Sequence, residues 1–144
     1  GMGTQGSPKS PEHAIENQAK KYVGELQGKI ANSTLRDKIT RHKMNAKAFS
    51  LTLRRSASEA RTSASPSPAS SMFKYYGTEQ NKGRFEVMMD MLGAQGLGWG
   101  GDGFLEKELS TTRSWLRSKA NSIEGGTSEV QLNIIAKRVL ELPD

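Results

Sequence analysis

Residues 32–61 read NSTLRDKITRHKMNAKAFSLTLRRSASEAR, and this stretch decides the fold class. Leu35, Ile39, His42, Ala46, Phe49, Leu53, Ala57 and Ala60 recur at steps of three and four, which places them along one face of a single long helix. Asn32, Ser33 and Thr34 supply the turn and cap that open it. The opposite face is basic. Between Arg36 and Arg61 there are eight basic side chains (Arg36, Lys38, Arg41, Lys43, Lys47, Arg54, Arg55, Arg61) against Asp37 and Glu59, a net of +6 that equals the excess of the whole chain. Phe49 is the single aromatic there, and no zinc-finger or Gly-rich pattern accompanies the charge. A solvated helix face therefore explains the run better than nucleic-acid binding does.

Working outward, the chain is a series of helical patterns separated by Gly, Ser and Pro, with no alternating strand pattern. Residues 11–27 open with Pro11 and Glu12, which suit a first helical turn, and carry Ala14, Ile15, Ala19, Tyr22, Val23 and Leu26 at helical spacing. After the break TSASPSPASS (62–71), Ser67 with Pro68 predicts a cap and a helix running to Leu92, stopped by Gly93, with Met72, Phe73, Tyr76, Val87, Met88, Met91 and Leu92 as its apolar face. Gly77 and Gly83 inside it mark either weakness or close packing. The segment Gly93–Gly103, GAQGLGWGGDG, holds six glycines and is expected to be irregular. Asp102 is expected to cap a further helix with Phe104, Leu105, Leu109, Thr112 and Leu116 on one face, beside Trp115.

The last stretch, NSIEGGTSEVQLNIIAKRVLELP (Asn121–Pro143), runs a Gly125–Gly126 turn into an apolar helix. Ser128 as cap places Gln131 three residues on, the spacing of a capping box, and Pro143 ends the helix. Such a turn leaves amide donors at a helix start, which suits an anion as well as an ordinary cap.

At 144 residues the chain fits one domain, with residues 1–10 as a polar leader that begins with a tag-derived Gly1 and residues 11–144 as the folded unit. It has no cysteine, which excludes disulfides and thiolate metal sites, and His13 and His42 are too few for a metal cluster. No metal site is expected. No apolar run approaches the roughly 20 residues of a membrane helix, and no signal peptide opens the chain, so a soluble cytoplasmic protein without membrane contact is expected. His42 sits on the helix stripe and reads as an interface residue.

Long amphipathic helices with breaker-rich joints predict an all-α, antiparallel four-helix bundle. The residues also resemble a family. SIEGGTSEVQLNIIAKRVLELP, the preceding WLRSKAN, DMLGAQGL at Asp90–Leu97 and LRDKITRHKMNAKAF are similar to successive parts of the C-terminal helical-bundle domain of acyl-CoA dehydrogenases. The resemblance implies FAD-dependent α,β-dehydrogenation of an acyl-CoA thioester, an oxidoreductase of fatty acid metabolism in which a carboxylate removes the α proton and flavin N5 takes the β hydride. It places Gly126, Thr127 and Glu129 at positions that line FAD, and Gly93 in a loop reaching the FAD of a partner subunit. It also implies a homodimer or tetramer.

Two departures stand out. Many relatives place the catalytic Glu directly before the final Gly-Thr, where this chain has Gly125; Glu124 lies one residue early and is the remaining candidate base. The N-terminal helical domain and middle β domain of the family are not in this sequence, so the chain by itself lacks a complete active site. The expected role is therefore flavin contact and subunit packing, with a non-catalytic helical dimerisation module as the alternative.

Overall fold

The computed structural model describes residues 11–62 and 70–143. The leader to Ser10 and the helix start at Ser67–Pro68 lie outside the described residues. Five α-helices are described: α1 (Pro11–Val23), α2 (Ser33–Ala60), α3 (Ser70–Leu92), α4 (Glu106–Ser118) and α5 (Ser128–Ile134). The fold is all-α, as the periodicity predicts. Helix α3 touches α1, α2, α4 and α5, so the bundle is assembled around it.

This central place explains why α3 has the weakest apolar periodicity. A helix contacted from several sides needs no single stripe. Its last two turns carry Val87, Met88, Met91 and Leu92, all buried, whereas residues 71–85 are half-buried throughout. Gly77 marks a close crossing, because a Cβ there would stand 3.3 Å from the Phe49 ring. Phe49 also meets Phe73 and Tyr76, at centroid distances of 6.2 and 5.3 Å, and this aromatic group joins α2 to the start of α3. No such contact surrounds Gly83.

The buried core lies toward the other end. Ile15 and Ala19 of α1, Leu35 and Ile39 of α2, and Val87, Met88 and Met91 of α3 form it together with Ile30, flanked by Tyr22, Val23 and Phe85. Of the stripe predicted along α2, Leu35 and Ile39 are buried, while Leu53, Ala57 and Ala60 are exposed. The opening of α2 follows expectation: Asn32 Oδ1 accepts from the Leu35 amide at 2.9 Å.

Several local readings are corrected. The first helix ends at Val23 and not at residue 27, because Gly24 (φ 84°) turns the chain into a small antiparallel hairpin, β1 (Glu25–Leu26) and β2 (Lys29–Ile30). Gln27 and Gly28 both take positive φ, as a two-residue hairpin turn requires, and the pattern is too short to show in the sequence. Leu26 consequently points away from the core and is exposed.

The glycine-rich segment is not wholly irregular, since Gly93–Leu97 forms a 3-10 turn. Beyond it, Phe104 packs directly on Gly98, where a Cβ would lie 2.5 Å from the ring. Helix α4 is capped by Leu105 and not by Asp102: the Leu105 amide donates to Glu108 Oε2 at 2.8 Å, which is the N3 half of a capping box. On α4, Leu109 and Thr112 are buried as predicted, but Leu105 and Leu116 are exposed.

Finally, Thr127 and not Ser128 caps α5, its Oγ1 accepting from the Val130 amide at 3.3 Å. After Ile134 the helix loosens into a π turn, Ile135–Val139, and the chain leaves it at Leu140, before Pro143 is reached.

Candidate functional site: the glycine turn between the last two helices

Helix α4 ends at Ser118 and continues as a 3-10 turn, Lys119–Ser122, which delivers the chain to Gly125 and Gly126. Both glycines are left-handed, at φ 67° and 97°, a pair of conformations that disfavours any side chain. Two side chains hold their carbonyls. Lys74 Nζ, from the first turns of α3, donates to Gly126 O at 2.6 Å and to Asn121 O at 3.2 Å, and Gln131 Nε2 donates to Gly125 O at 3.3 Å.

In a trans peptide the N–H points opposite to the C=O. With the carbonyls of Gly125 and Gly126 directed at Gln131 and Lys74, the amides of Gly126 and Thr127 each point away from the side chain that holds the adjoining carbonyl. These amides are two consecutive donors. Two residues on, the Glu129 carboxylate takes a hydrogen bond from its own N–H and from the Thr127 hydroxyl, which together hold it below the usual carboxylate range.

Glu124 stands beside this turn in an exposed position. Asn121 Nδ2 donates to its Oε1 at 2.6 Å and Arg117 Nη2 to its Oε2 at 3.2 Å. These bonds, with the Arg117 charge, hold its carboxyl below the ordinary range, with the Asn121 bond contributing most. A general base working near neutral pH needs the opposite displacement. Asn121 in turn accepts from Asn81 Nδ2 at 3.0 Å, so α3, the 3-10 turn and Glu124 form one chain of polar contacts. A cleft of about 350 Å³ lies along it between α3 and α4, lined by Asn81, Phe85, Arg113, Ser114, Arg117 and Asn121 among others.

Gly126, Thr127, Glu129 and Glu124 are thus brought together. Gly93 is not among them. It sits at the far end of α3 with φ 54°, and the 19 residues from Lys74 correspond to about 28 Å of helix. The residues that shape the turn, Lys74, Asn81 and Arg117, are missing from the sequence-based candidates. One signal was present for Lys74: it lies among Phe73, Tyr75 and Tyr76 with no acidic residue three or four positions away. No group of three His, Cys, Asp or Glu residues able to hold a metal ion occurs among the described residues.

The family model described as "Acyl-CoA dehydrogenase, C-terminal domain" matches residues 17–140. This chain belongs to the acyl-CoA dehydrogenase family. The match embraces α2 to α5, most of α1 and both halves of the glycine turn, so the bundle described above is this family's C-terminal domain. Among solved structures, the acyl-CoA dehydrogenase domain is similar to a chain of the ChsE4-ChsE5 complex from Mycobacterium tuberculosis, with a TM-score of 0.70 and 24% identity. The likeness covers 93% of this chain and 36% of that one, so the domain spans about a third of its structural neighbour. At this identity the shared property is the fold. No curated protein matches the sequence. No helix among the described residues is long and apolar enough to cross a membrane.

Proposed function

We propose that the chain acts as the C-terminal bundle of an FAD-dependent acyl-CoA dehydrogenase, or of a shortened relative, contributing flavin contacts and subunit packing. The observation that carries this reading is the paired restraint on the glycine turn. Lys74 and Gln131 engage the carbonyls of Gly126 and Gly125, and the consecutive amides of Gly126 and Thr127 point away from these partners. Two such donors fit an electron-rich edge of a bound cofactor. FAD, when bound, supplies the hydride acceptor of the reaction.

In this reading Gly126 and Thr127 contact the cofactor through their backbone, and the Glu129 carboxylate holds the Thr127 hydroxyl in place. Gly93 serves a different cofactor copy, because about 28 Å of helix separates it from the turn. Glu124 acts as a latch on Arg117 and Asn121 and not as the base, which would have to come from elsewhere in an assembled enzyme. The acyl-CoA itself requires further walls, since the clefts along this bundle are shallow.

Subunit packing is supported by apolar residues that the bundle leaves uncovered. Val130, Leu132, Val139, Leu140 and Leu142 are all at least 40% exposed along the C-terminal segment. A homodimer or tetramer of a soluble, cytoplasmic protein follows from this reading.

The test is a titration of FAD into the full chain, alone and with candidate partner chains, followed by flavin fluorescence. Binding that is weakened by Gly126→Ala supports the proposal, and absence of flavin binding in every combination defeats it. A second reading, a helical dimerisation module without chemistry, draws on Gly125 at the usual base position and on the engaged Glu124 carboxylate. It expects a dimer by light scattering whose mass and stability are indifferent to FAD.

A further inference from the structure

Helix α2 faces inward through Phe49, which meets Phe73 and Tyr76 of α3. Leu51 follows two residues later, about 200° further round the helix, and so stands on the outer side. There it is 52% exposed, and Met44, one heptad earlier, is 66% exposed. Ala48 between them and Ser58 one heptad beyond are exposed as well. Met44, Ala48, Leu51, Arg55 and Ser58 alternate steps of four and three, the spacing of d and a positions along a helix-pairing seam.

One flank of this seam is charged. Lys47, Arg54 and Arg61 follow one another at intervals of seven residues, in the g register when Met44 and Leu51 are d. All three are exposed, and none forms an ion pair with a carboxylate among the described residues. The single acidic residue from Met44 to Arg61 is Glu59, which faces Arg55 at 3.7 Å. The outer face therefore sets a short apolar row beside a row of uncommitted cations.

Apolar area and charge decide the occupant. Met44, Ala48 and Leu51 suffice to receive the apolar row of one facing helix, whereas lying in a lipid surface takes a broader apolar face than this stripe holds. A second copy of α2 does not fit either. Antiparallel, its cationic row would oppose the first; parallel, Arg55 would meet Arg55 in the seam. A helix with carboxylates along its flank answers the unpaired cations.

We propose that the outer face of α2, from Met44 to Arg61, docks an acidic amphipathic helix of a different protein chain. The apolar row of that helix seats against Met44, Ala48 and Leu51, and its carboxylates pair with Lys47, Arg54 and Arg61. This face uses neither the glycine turn nor the C-terminal apolar segment, so it stands or falls independently of the flavin contacts and the homo-oligomer proposed above.

The experiment is calorimetric titration of the full chain with two synthetic four-heptad peptides that carry leucine at a and d and differ only at e and g, one with Glu and the other with Lys. Like charges at e and g keep each peptide from pairing with itself. The acidic peptide is expected to bind saturably at one site per chain, about tenfold or more tightly than the basic one, and to weaken as salt rises. Met44→Gln/Leu51→Gln keeps the charge and is expected to weaken the acidic peptide about tenfold, through the lost apolar contact. Lys47→Glu/Arg54→Glu/Arg61→Glu is expected to reverse the preference and take the basic peptide. Every substituted residue is exposed, and circular dichroism checks that each variant keeps its helices.

Equal binding of the two peptides, full binding of the acidic peptide by Met44→Gln/Leu51→Gln, or failure of the charge-reversed variant to take the basic peptide overturns the proposal. A parent dimer in light scattering that Leu51→Gln turns into a monomer also overturns it, by assigning the face to a second copy. Binding to phosphatidylserine vesicles or duplex DNA that exceeds peptide binding and is lost in the charge-reversed variant overturns it likewise.

Discussion

Tyr22 donates its phenolic hydrogen to Glu108 Oε1 at 2.7 Å, joining α1 to the first turn of α4 across 86 residues of sequence. The same carboxylate uses its other oxygen to accept the Leu105 amide at 2.8 Å, so one buried side chain both opens a helix and fastens it to another. Truncating the phenol strips a buried carboxylate oxygen of its donor. Tyr22→Phe is therefore expected to lower stability by about 1–2 kcal/mol, measured by urea unfolding. Burial, then the bond to Glu108 and its charge, push the Tyr22 phenol up to about 12. The contribution of the pair is present in full below the ordinary phenol value of about 10 and is lost as pH rises toward 12. A difference titration at 295 nm between the parent chain and Tyr22→Phe should show one phenol ionising near that upper value.

The two glycines of the turn should differ in their tolerance. Gly126→Ala meets both a left-handed backbone and the Gln131 amide nitrogen, 2.7 Å from the new Cβ. Gly125→Ala meets the backbone penalty alone, since its nearest neighbour is Lys74 Cε at 3.9 Å. Expected losses are about 1 kcal/mol for Gly125→Ala and about 2–3 kcal/mol for Gly126→Ala in thermal unfolding. Equal losses would mean that Gln131 does not restrain the turn.

Lys74→Met keeps the apolar stem and removes the donor that holds Gly126 O and Asn121 O. The turn should loosen while the helices persist. Hydrogen exchange of the amides between residues 121 and 128 should accelerate by about tenfold or more, with helical circular dichroism unchanged. Exchange at the parent rate would remove Lys74 from its place as organiser of the turn.

Gly98→Ala should rebuild the glycine-rich loop, because its Cβ would overlap the Phe104 ring at 2.5 Å. Arg113 holds the same loop through Trp99 O at 3.0 Å and lies over the Trp99 ring at 5.6 Å. A shift in tryptophan fluorescence together with a destabilisation of about 1–3 kcal/mol is expected.

Acid should weaken the contact between α3 and α4. Glu86 accepts from Lys119 and, at 3.0 Å, from Trp115 Nε1, and these bonds hold its carboxyl below 4.5. A lowered value contributes stability above the unfolded value and loses it as pH falls through the folded one. Glu86→Gln should flatten the dependence of melting temperature on pH below about 4.5 and leave it unchanged near neutrality.

Much of the fold was legible because helices announce themselves in spacing and punctuation. The cap at Asn32, the run of α2 and the halt of α3 at Gly93 all follow from local chemistry. What escaped was decided at short range by backbone signs or at long range by packing. The hairpin hinges on positive φ at Gln27, which side-chain identity does not signal, and the shift of the α4 cap from Asp102 to Leu105 depends on where Glu108 folds back. The turn at Gly125–Gly126 was visible as a place of interest. Its inner side was not, because Lys74 and Asn81 arrive there from a helix some 50 residues earlier.

Helix α3 is sealed in its last turns by Val87, Met88, Met91 and Leu92 and only half covered over residues 71–85. One continuous helix therefore spans two mechanical regimes. Its C-terminal amides should open only with global unfolding, while those near Lys74 exchange through small local excursions. The end that carries the glycine turn is the compliant one, and whatever docks against it would stiffen the molecule from that end inward.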